Sequence, residues 1–311
     1  MTRYRVDLAL LAVALVWGSS YLAAKEVVDA DSVLAFLAVR FAIAAGVLAL
    51  VLGRRITRIG RPEILVGSLF GAILTAICVC ETYGVTRTSA SNAGLIMALT
   101  VVITPLLGGR GAVAPLFYAP AAVVVLGCLA LTQSGGFALP GAGDALIVAA
   151  AVLRAVHVTV MSRASAQRRL DPAAVTLVQL TTVAVLASMP ACALGQFSVV
   201  PQMSGRDWAL IAYLALACTV FAFGVQMWAL RCSTPARISL LLGTEPLWAV
   251  AIGVGLAGDP VTALGALGAA LVVAGTNWGR IVDSATISTS ASDAPGRPRR
   301  PGAAGPPSKK G

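Results

Sequence analysis

Arg40, Glu81, Arg154, His157 and Glu245 lie within, or at the edge of, long stretches of otherwise apolar residues. In lipid, such a charge costs at least about 2.5–3.5 kcal/mol at a helix centre, so it faces a protein interior or a water-filled path and often marks one. Two chemistries fit these residues. In the first, Arg40 and Arg154 contact an anion, because the planar guanidinium fork can bind two oxygens at once. Glu245 is then their countercharge or a proton carrier. In the second, Glu245 pairs permanently with one arginine and locks parts of the chain together. His157 follows Arg154 by three residues and shares its face if the segment is helical. It is either a proton relay, since an unperturbed imidazole titrates at about 6.5, or a neutral hydrogen-bonded group. Gln179, Gln226, Trp17, Tyr21 and Trp228 are the polar and aromatic side chains expected to line the same space, along with Tyr83 and Trp248. Trp208, Tyr118 and Trp278 read as interfacial belt residues, and Asn92 as a hydrogen bond between helices.

Soluble-enzyme chemistry finds no support. There is no G-x-S-x-G, no phosphate-binding Walker loop and no H-E-x-x-H. ATP hydrolysis is therefore not expected, nor any cofactor. The six cysteines (Cys78, Cys80, Cys128, Cys192, Cys218 and Cys232) sit in or at the ends of apolar runs. Cys78 and Cys80 have the wrong spacing for a zinc clip, and one histidine offers no second imidazole. These thiols read as inert small hydrophobes, and no metal site is expected.

The elements that must position these residues are membrane helices. Of the 311 residues, 58% are hydrophobic and 12% charged, against about 25% charged in a soluble domain. The mean hydropathy is +0.87. Spans of about 20 apolar residues fall at 6–25, 33–52, 64–84, 90–108, 113–132, 143–162, 172–193, 208–229, 236–257 and 262–281, separated by Gly, Pro, Ser or charged breaks. With the N-terminus in the cytoplasm, Arg3, Arg5, Arg54, Arg55, Arg58, Arg61, Arg110, Arg163, Arg168, Arg169, Arg231, Arg237 and Arg280 fall on the cytoplasmic side. Only Lys25, Arg87 and Arg206 fall opposite. That bias predicts ten spans with both termini inside, and it accounts for the net charge of +10 without nucleic acid. The segment 283–311, rich in Ser, Ala, Pro, Gly and basic residues, is expected to be disordered. At about 1.5 Å rise per residue, Arg40, Arg154 and Glu245 lie roughly 12, 16 and 14 Å from their nearest span ends. That places them near the midplane of a core about 30 Å thick, with Glu81 shallower, toward the outer face.

One stretch occurs twice. ETYGVTRTSASNAGLIMALTVVIT at 81–104 corresponds to QMWALRCSTPARISLLLGTEPLWA at 226–249. In both, an apolar segment ends with a polar residue and an aromatic, a Ser/Thr-rich turn carries one Arg, and a second apolar segment opens. At one offset Thr100 falls opposite Glu245, and Gln179 roughly matches Arg40. The halves are 1–133 and 143–282. With five spans each, the second is inverted relative to the first, a transporter design that places a site near the midplane and gives alternating access.

The ordered motifs Trp17-Gly18-Ser19-Ser20-Tyr21, Arg40-Phe41, Ser89-Ala90-Ser91-Asn92-Ala93, Gly143-Asp144, Glu245-Pro246-Leu247 and Gly268 with Gly275 resemble the drug/metabolite transporter superfamily, specifically its EamA type. The resemblance spans 6–282. It implies an all-α integral membrane protein of ten helices in two inverted five-helix repeats, moving a small metabolite, often outward. The chain departs from the pattern at Arg154, where a Trp is usual, at His157, where a Tyr is frequent, and at Val101, where a Pro is common. These departures bear on substrate identity. The expected function is thus secondary active export of a small polar or amphipathic metabolite such as an amino acid from the inner membrane, with protons as the coupling ion. The partners are the lipid bilayer and a small-molecule substrate, with a homodimer left open and no nucleic acid. The rival readings are an intramembrane enzyme, for which His157 lacks an evident nucleophile, and a non-transporting subunit or lipid scramblase.

Overall fold

In a computed structural model of the chain, the residues described are 2–107, 116, 118–132, 141–167, 170–232, 241–259 and 261–292. The turn at 108–113 with Arg110, Arg168, Arg169, the stretch 233–240 with Arg237, and the tail from 293 lie outside them.

Among the described residues the fold is all-helical. The helices are α1 (Thr2–Val27), α2 (Val33–Leu52), α3 (Arg61–Val85), α4 (Ala90–Met97), α5 (Leu99–Leu106), α6 (Tyr118–Thr132), α7 (Ala142–Gln167), α8 (Pro172–Ala193), α9 (Gly205–Ala215), α10 (Ala222–Cys232), α11 (Glu245–Gly255) and α12 (Ala263–Ser292). Six helical stretches are long and apolar enough to cross a membrane, and four shorter apolar helices accompany them. The six comprise α1, α2, α3, α7, α8 and the α9–α10 run; the shorter four are α4–α5, α6, α11 and α12. Helix α12 continues ten residues past the expected boundary at 282, so the first part of the expected disordered tail is helical.

Local chemistry sets the helix ends. Pro172 opens α8 behind Asp171, whose carboxylate accepts from the Ala173 N–H at 3.0 Å, as caps and first-turn prolines do. Ser89 caps α4 by accepting from the Asn92 N–H at 3.0 Å. Gln196, in a 3₁₀ turn after α8, reaches across to α2 and accepts from the N–H groups of Leu34 and Ala35 at 2.9 and 3.3 Å. Two of the helix-start donors that α2 cannot satisfy internally are thus met by a distant loop.

Small residues bring the helices together, as expected where lipid supplies no hydrophobic drive between them. On α6, a Cβ at Gly127 would lie 2.8 Å from the Gly268 carbonyl of α12; on α12, one at Gly275 would lie 3.0 Å from the Pro120 carbonyl of α6. Gly67 and Gly71 of α3 sit equally tightly on Val178 and Thr182 of α8, and Gly18 of α1 on Trp248 and Ala249 of α11.

Counting apolar segments in chain order, with α4–α5 as the fourth and α9–α10 as the eighth, the packed pairs include 1–9 with 4–6, 1–8 with 3–6, and 2–8 with 3–7. The pairs 2–7, 4–9 and 5–10 are also packed. Shifting every number by five turns each pair into another on this list or into itself.

Candidate functional site

The fourth and ninth segments are each interrupted beside a cavity in the bundle. Helix α4 stops at Met97 and α5 starts at Leu99, while α11 starts at Glu245 after a turn at Gly243 and Thr244. The eighth segment contains a π-helical turn, Leu216–Phe221, between α9 and α10. Such turns free backbone groups and recur at functional sites. The Cys218 carbonyl there accepts from the Trp17 indole N–H at 2.9 Å.

These irregular segments enclose a cavity of about 540 Å³, with walls from both halves of the chain. Nine of the twelve residues singled out from sequence line it: Trp17, Tyr21, Arg40, Glu81, Arg154, His157, Gln179, Gln226 and Glu245. Trp228 does not. Its ring is 40% exposed on the outside of α10, and Tyr83 and Trp248 are likewise absent from the wall. The reason is helical geometry. Tyr83 follows Glu81 by two residues and Trp228 follows Gln226 by two, and residues two apart in a helix point to different sides. Trp248 packs on Gly18 instead.

The charges inside the cavity are arranged differently from the sequence expectation. Arg154 Nη2 of α7 donates to Glu81 Oε2 of α3 at 2.6 Å. Among the described residues Glu245 forms no ion pair. Its Oε1 accepts from the Tyr21 hydroxyl of α1 at 2.9 Å, and its place in the first turn of α11 puts its carboxylate at the positive end of a helix. Of the two arrangements open from sequence, the one pairing Glu245 with an arginine is not found among the described residues; the ion pair in the cavity is Glu81–Arg154.

Arg40 has neither acid. Its guanidinium carbon lies 5.3 Å from the Phe41 ring centroid. Its buried Nε has no hydrogen-bond partner, and among the described residues no carboxylate pairs with it. The Gln226 amide nitrogen is also buried and unpartnered. The Gln179 amide nitrogen lies 3.4 Å from His157 Nε2, and the His157 ring stands edge-on to Phe70 at 5.6 Å. With the amide donating, that ring nitrogen is the acceptor. No serine or cysteine is hydrogen-bonded to His157 among the described residues. Nor do they hold a group of three His, Cys, Asp or Glu able to bind a metal.

Cys78, Thr82, Thr100, Cys218, Thr219 and Thr276 also line the cavity. The threonines carried a usable signal, as polar groups within apolar runs. The thiols carried none, because a buried Cys reads as any small hydrophobe. Cys78, Cys80, Cys192 and Cys218 are free; the side chains of Cys128 and Cys232 lie outside the described set.

Outside the cavity, the halves are joined at one end of the bundle by polar contacts around the start of α4. The Thr88 hydroxyl donates to Asp144 Oδ1 at 2.6 Å, and the Ser91 N–H donates to Asp259 Oδ2 at 2.9 Å. The Lys25 ammonium donates to the Thr88 carbonyl at 2.9 Å, and Arg206 pairs with Glu26 at 2.7 Å.

Comparison with known proteins adds three findings. The model of the EamA-like transporter family matches the chain twice, at residues 5–109 and 141–278. None of the curated proteins compared matches it. A crystal structure 20% identical in sequence superposes with a TM-score of 0.61 over 94% of this chain and 99% of that one, a likeness of fold alone.

Proposed function

The chain belongs to the EamA-like transporter family, and from that membership and the cavity we propose a ten-span secondary transporter that exports a small metabolite by alternating access. It is a multi-pass membrane protein of a transporter family. The finer reading has both termini in the cytoplasm, two inverted five-helix repeats covering 1–133 and 143–282, and residence in the inner membrane. The solute is a small polar or amphipathic compound such as an amino acid, and protons supply the drive.

The observation that carries this reading is a cavity walled by both halves, with two arginines, two carboxylates, a histidine and two glutamines on its surface. Burying so many polar groups inside an apolar bundle is costly unless water or a solute reaches them. The packing pairs that repeat under a shift of five segments support a two-fold relation between the halves. Exchange of conformations between two such halves is the established route to alternating access. Glu245 is the proposed proton carrier, being the cavity acid without an arginine partner.

The test is flux of radiolabelled amino acids and related metabolites into proteoliposomes. Glu245→Gln and Arg154→Ala are each expected to abolish transport while both variants still insert and purify. Normal flux from both variants would overturn the proposal.

A further inference from the structure

We propose that Arg40 and Gln226 form the anion-binding pole of the cavity, and that the solute carries a carboxylate there. The inference rests on the transport reading only in treating the cavity as the place a solute occupies. Three observations lead to it.

The first is charge. The cavity holds two arginines, and Glu81 neutralises Arg154 at 2.6 Å. The other cavity acid, Glu245, is bonded to the neutral Tyr21 and to no arginine, so whenever Glu245 carries its proton Arg40 is the cation left uncompensated among the described wall residues. A buried charge needs a partner, and a solute anion is the partner an internal acid would otherwise be.

The second is hydrogen bonding. Arg40 Nε and Gln226 Nε2 are buried and unpartnered, and both are donors. Orphaned donors in a wall call for an acceptor, since leaving them unmet costs the full desolvation penalty. They come from different halves, Arg40 on α2 and Gln226 on α10. A solute that met both would therefore touch both halves of the chain.

The third is stoichiometry of charge. One spare guanidinium balances one negative charge. A carboxylate carries one and matches the planar fork. A phosphate monoester carries about 1.5–2 at neutral pH and would bury an excess. The Phe41 ring lies 5.3 Å from the guanidinium carbon, and the guanidinium's own planar fork favours a flat ligand group.

The test is a thermal-shift titration of the purified full chain with acetate, lactate, L-alanine, L-leucine, inorganic phosphate, ethanolamine and glycerol at matched ionic strength. At least one carboxylate-bearing probe is expected to stabilise the protein. Its apparent affinity should fall about tenfold to hundredfold in Arg40→Gln, as for loss of a charged hydrogen-bond pair. It should fall less in Arg40→Lys, which keeps the charge without the fork, and measurably in Gln226→Leu. No stabilisation by any carboxylate, stabilisation by phosphate alone, or a carboxylate shift unchanged in Arg40→Gln would each overturn the assignment. The transport reading fails separately. Arg40-dependent binding without flux in proteoliposomes would remove transport and leave the site, whereas flux of ethanolamine or glycerol that is indifferent to Arg40→Gln would remove the site and leave transport.

Discussion

The Glu81–Arg154 pair is the interaction whose removal has the most calculable effect. It joins α3 to α7, and so one half of the chain to the other. Removing one member of a buried pair costs about 3–5 kcal/mol, chiefly because the remaining charge is left uncompensated. Here the Arg154 and Glu81 side chains are 32% and 18% exposed. Cavity water therefore screens part of the loss, and taking off roughly a quarter leaves about 2–4 kcal/mol for Glu81→Gln or Arg154→Gln alone. At about 2–4 °C per kcal/mol for chains of 150–250 residues, each single variant should lose roughly 4–16 °C in thermal unfolding. The double variant Glu81→Gln/Arg154→Gln buries no charge at this point, and the two amides can still hydrogen-bond. It should return to within about 1 kcal/mol of the parent, a coupling energy of at least about 2 kcal/mol.

The assay is thermal unfolding of the four proteins in one detergent, with monodispersity checked by size exclusion. Losses that simply add in the double variant would refute the reasoning, because the pair would then contribute nothing as a pair. Flux measured on the same proteins separates a lock from a path. A recovered double variant that transports normally makes the pair purely structural; a stable double variant that is silent places the charges on the route.

Two further outcomes are expected. Tyr21→Phe removes the donor to Glu245 and, at about 1.5–3 kcal/mol for a hydrogen bond to a charged group, should lower both thermal stability and flux while leaving insertion unchanged; a variant indistinguishable from the parent would show that the contact carries no energy. Gly127→Ala drives a Cβ to within 2.8 Å of the Gly268 carbonyl and the Val272 N–H, backbone atoms with no rotamer to yield, and should cost about 1–3 kcal/mol. Gly46→Ala, with nothing within 4 Å of the added Cβ, should be neutral or gain up to about 1 kcal/mol of helix propensity. Thermal unfolding of the two alanine variants side by side checks the order.

Much of the architecture was legible because lipid imposes it. Length, hydropathy and punctuation located the six long apolar helices within a few residues, since a helix in lipid must satisfy its own backbone. The cavity residues were found for a related reason: a polar side chain in such a helix has few places to go. Which charge meets which was not legible. Arg154 reaches Glu81 rather than Glu245, and that choice depends on the rotation and depth of α3 against α7, set by close contacts such as Gly84 on Ile147. Rotation also explains why Tyr83 and Trp228 were misplaced. Each was grouped with a polar residue two positions earlier, although a helix turns that pair apart. The extension of α12 to Ser292 was missed because Ser, Thr and Ala beyond a span end resemble a tail in composition.

The internal repeat bears on mechanism through where it is kept and where it is broken. The break at Ala98 and the turn at Gly243 and Thr244 fall at corresponding places in the two copies, as do Glu81 and Gln226, and Thr100 and Glu245. An interrupted helix inside a bilayer leaves backbone groups that only protein or water can satisfy. Breaks repeated at one register, both on the cavity wall, are therefore the part of the repeat that the backbone keeps, one in each half. The side chains follow the opposite rule. The acid of the first copy is Glu81, and its counterpart is the neutral Gln226. The acid of the second is Glu245, and its counterpart is Thr100, which bonds to the Ala151 carbonyl at 3.3 Å. A symmetric site would place like charges opposite one another across a cavity of about 540 Å³, where they would repel. Staggering the acids lets one pair with Arg154 and leaves the other with Tyr21, so that Arg40 keeps its charge for something else. On the proposed mechanism, the repeated breaks serve the exchange of shapes between the halves, and the unlike side chains serve the proposed positive pole at Arg40.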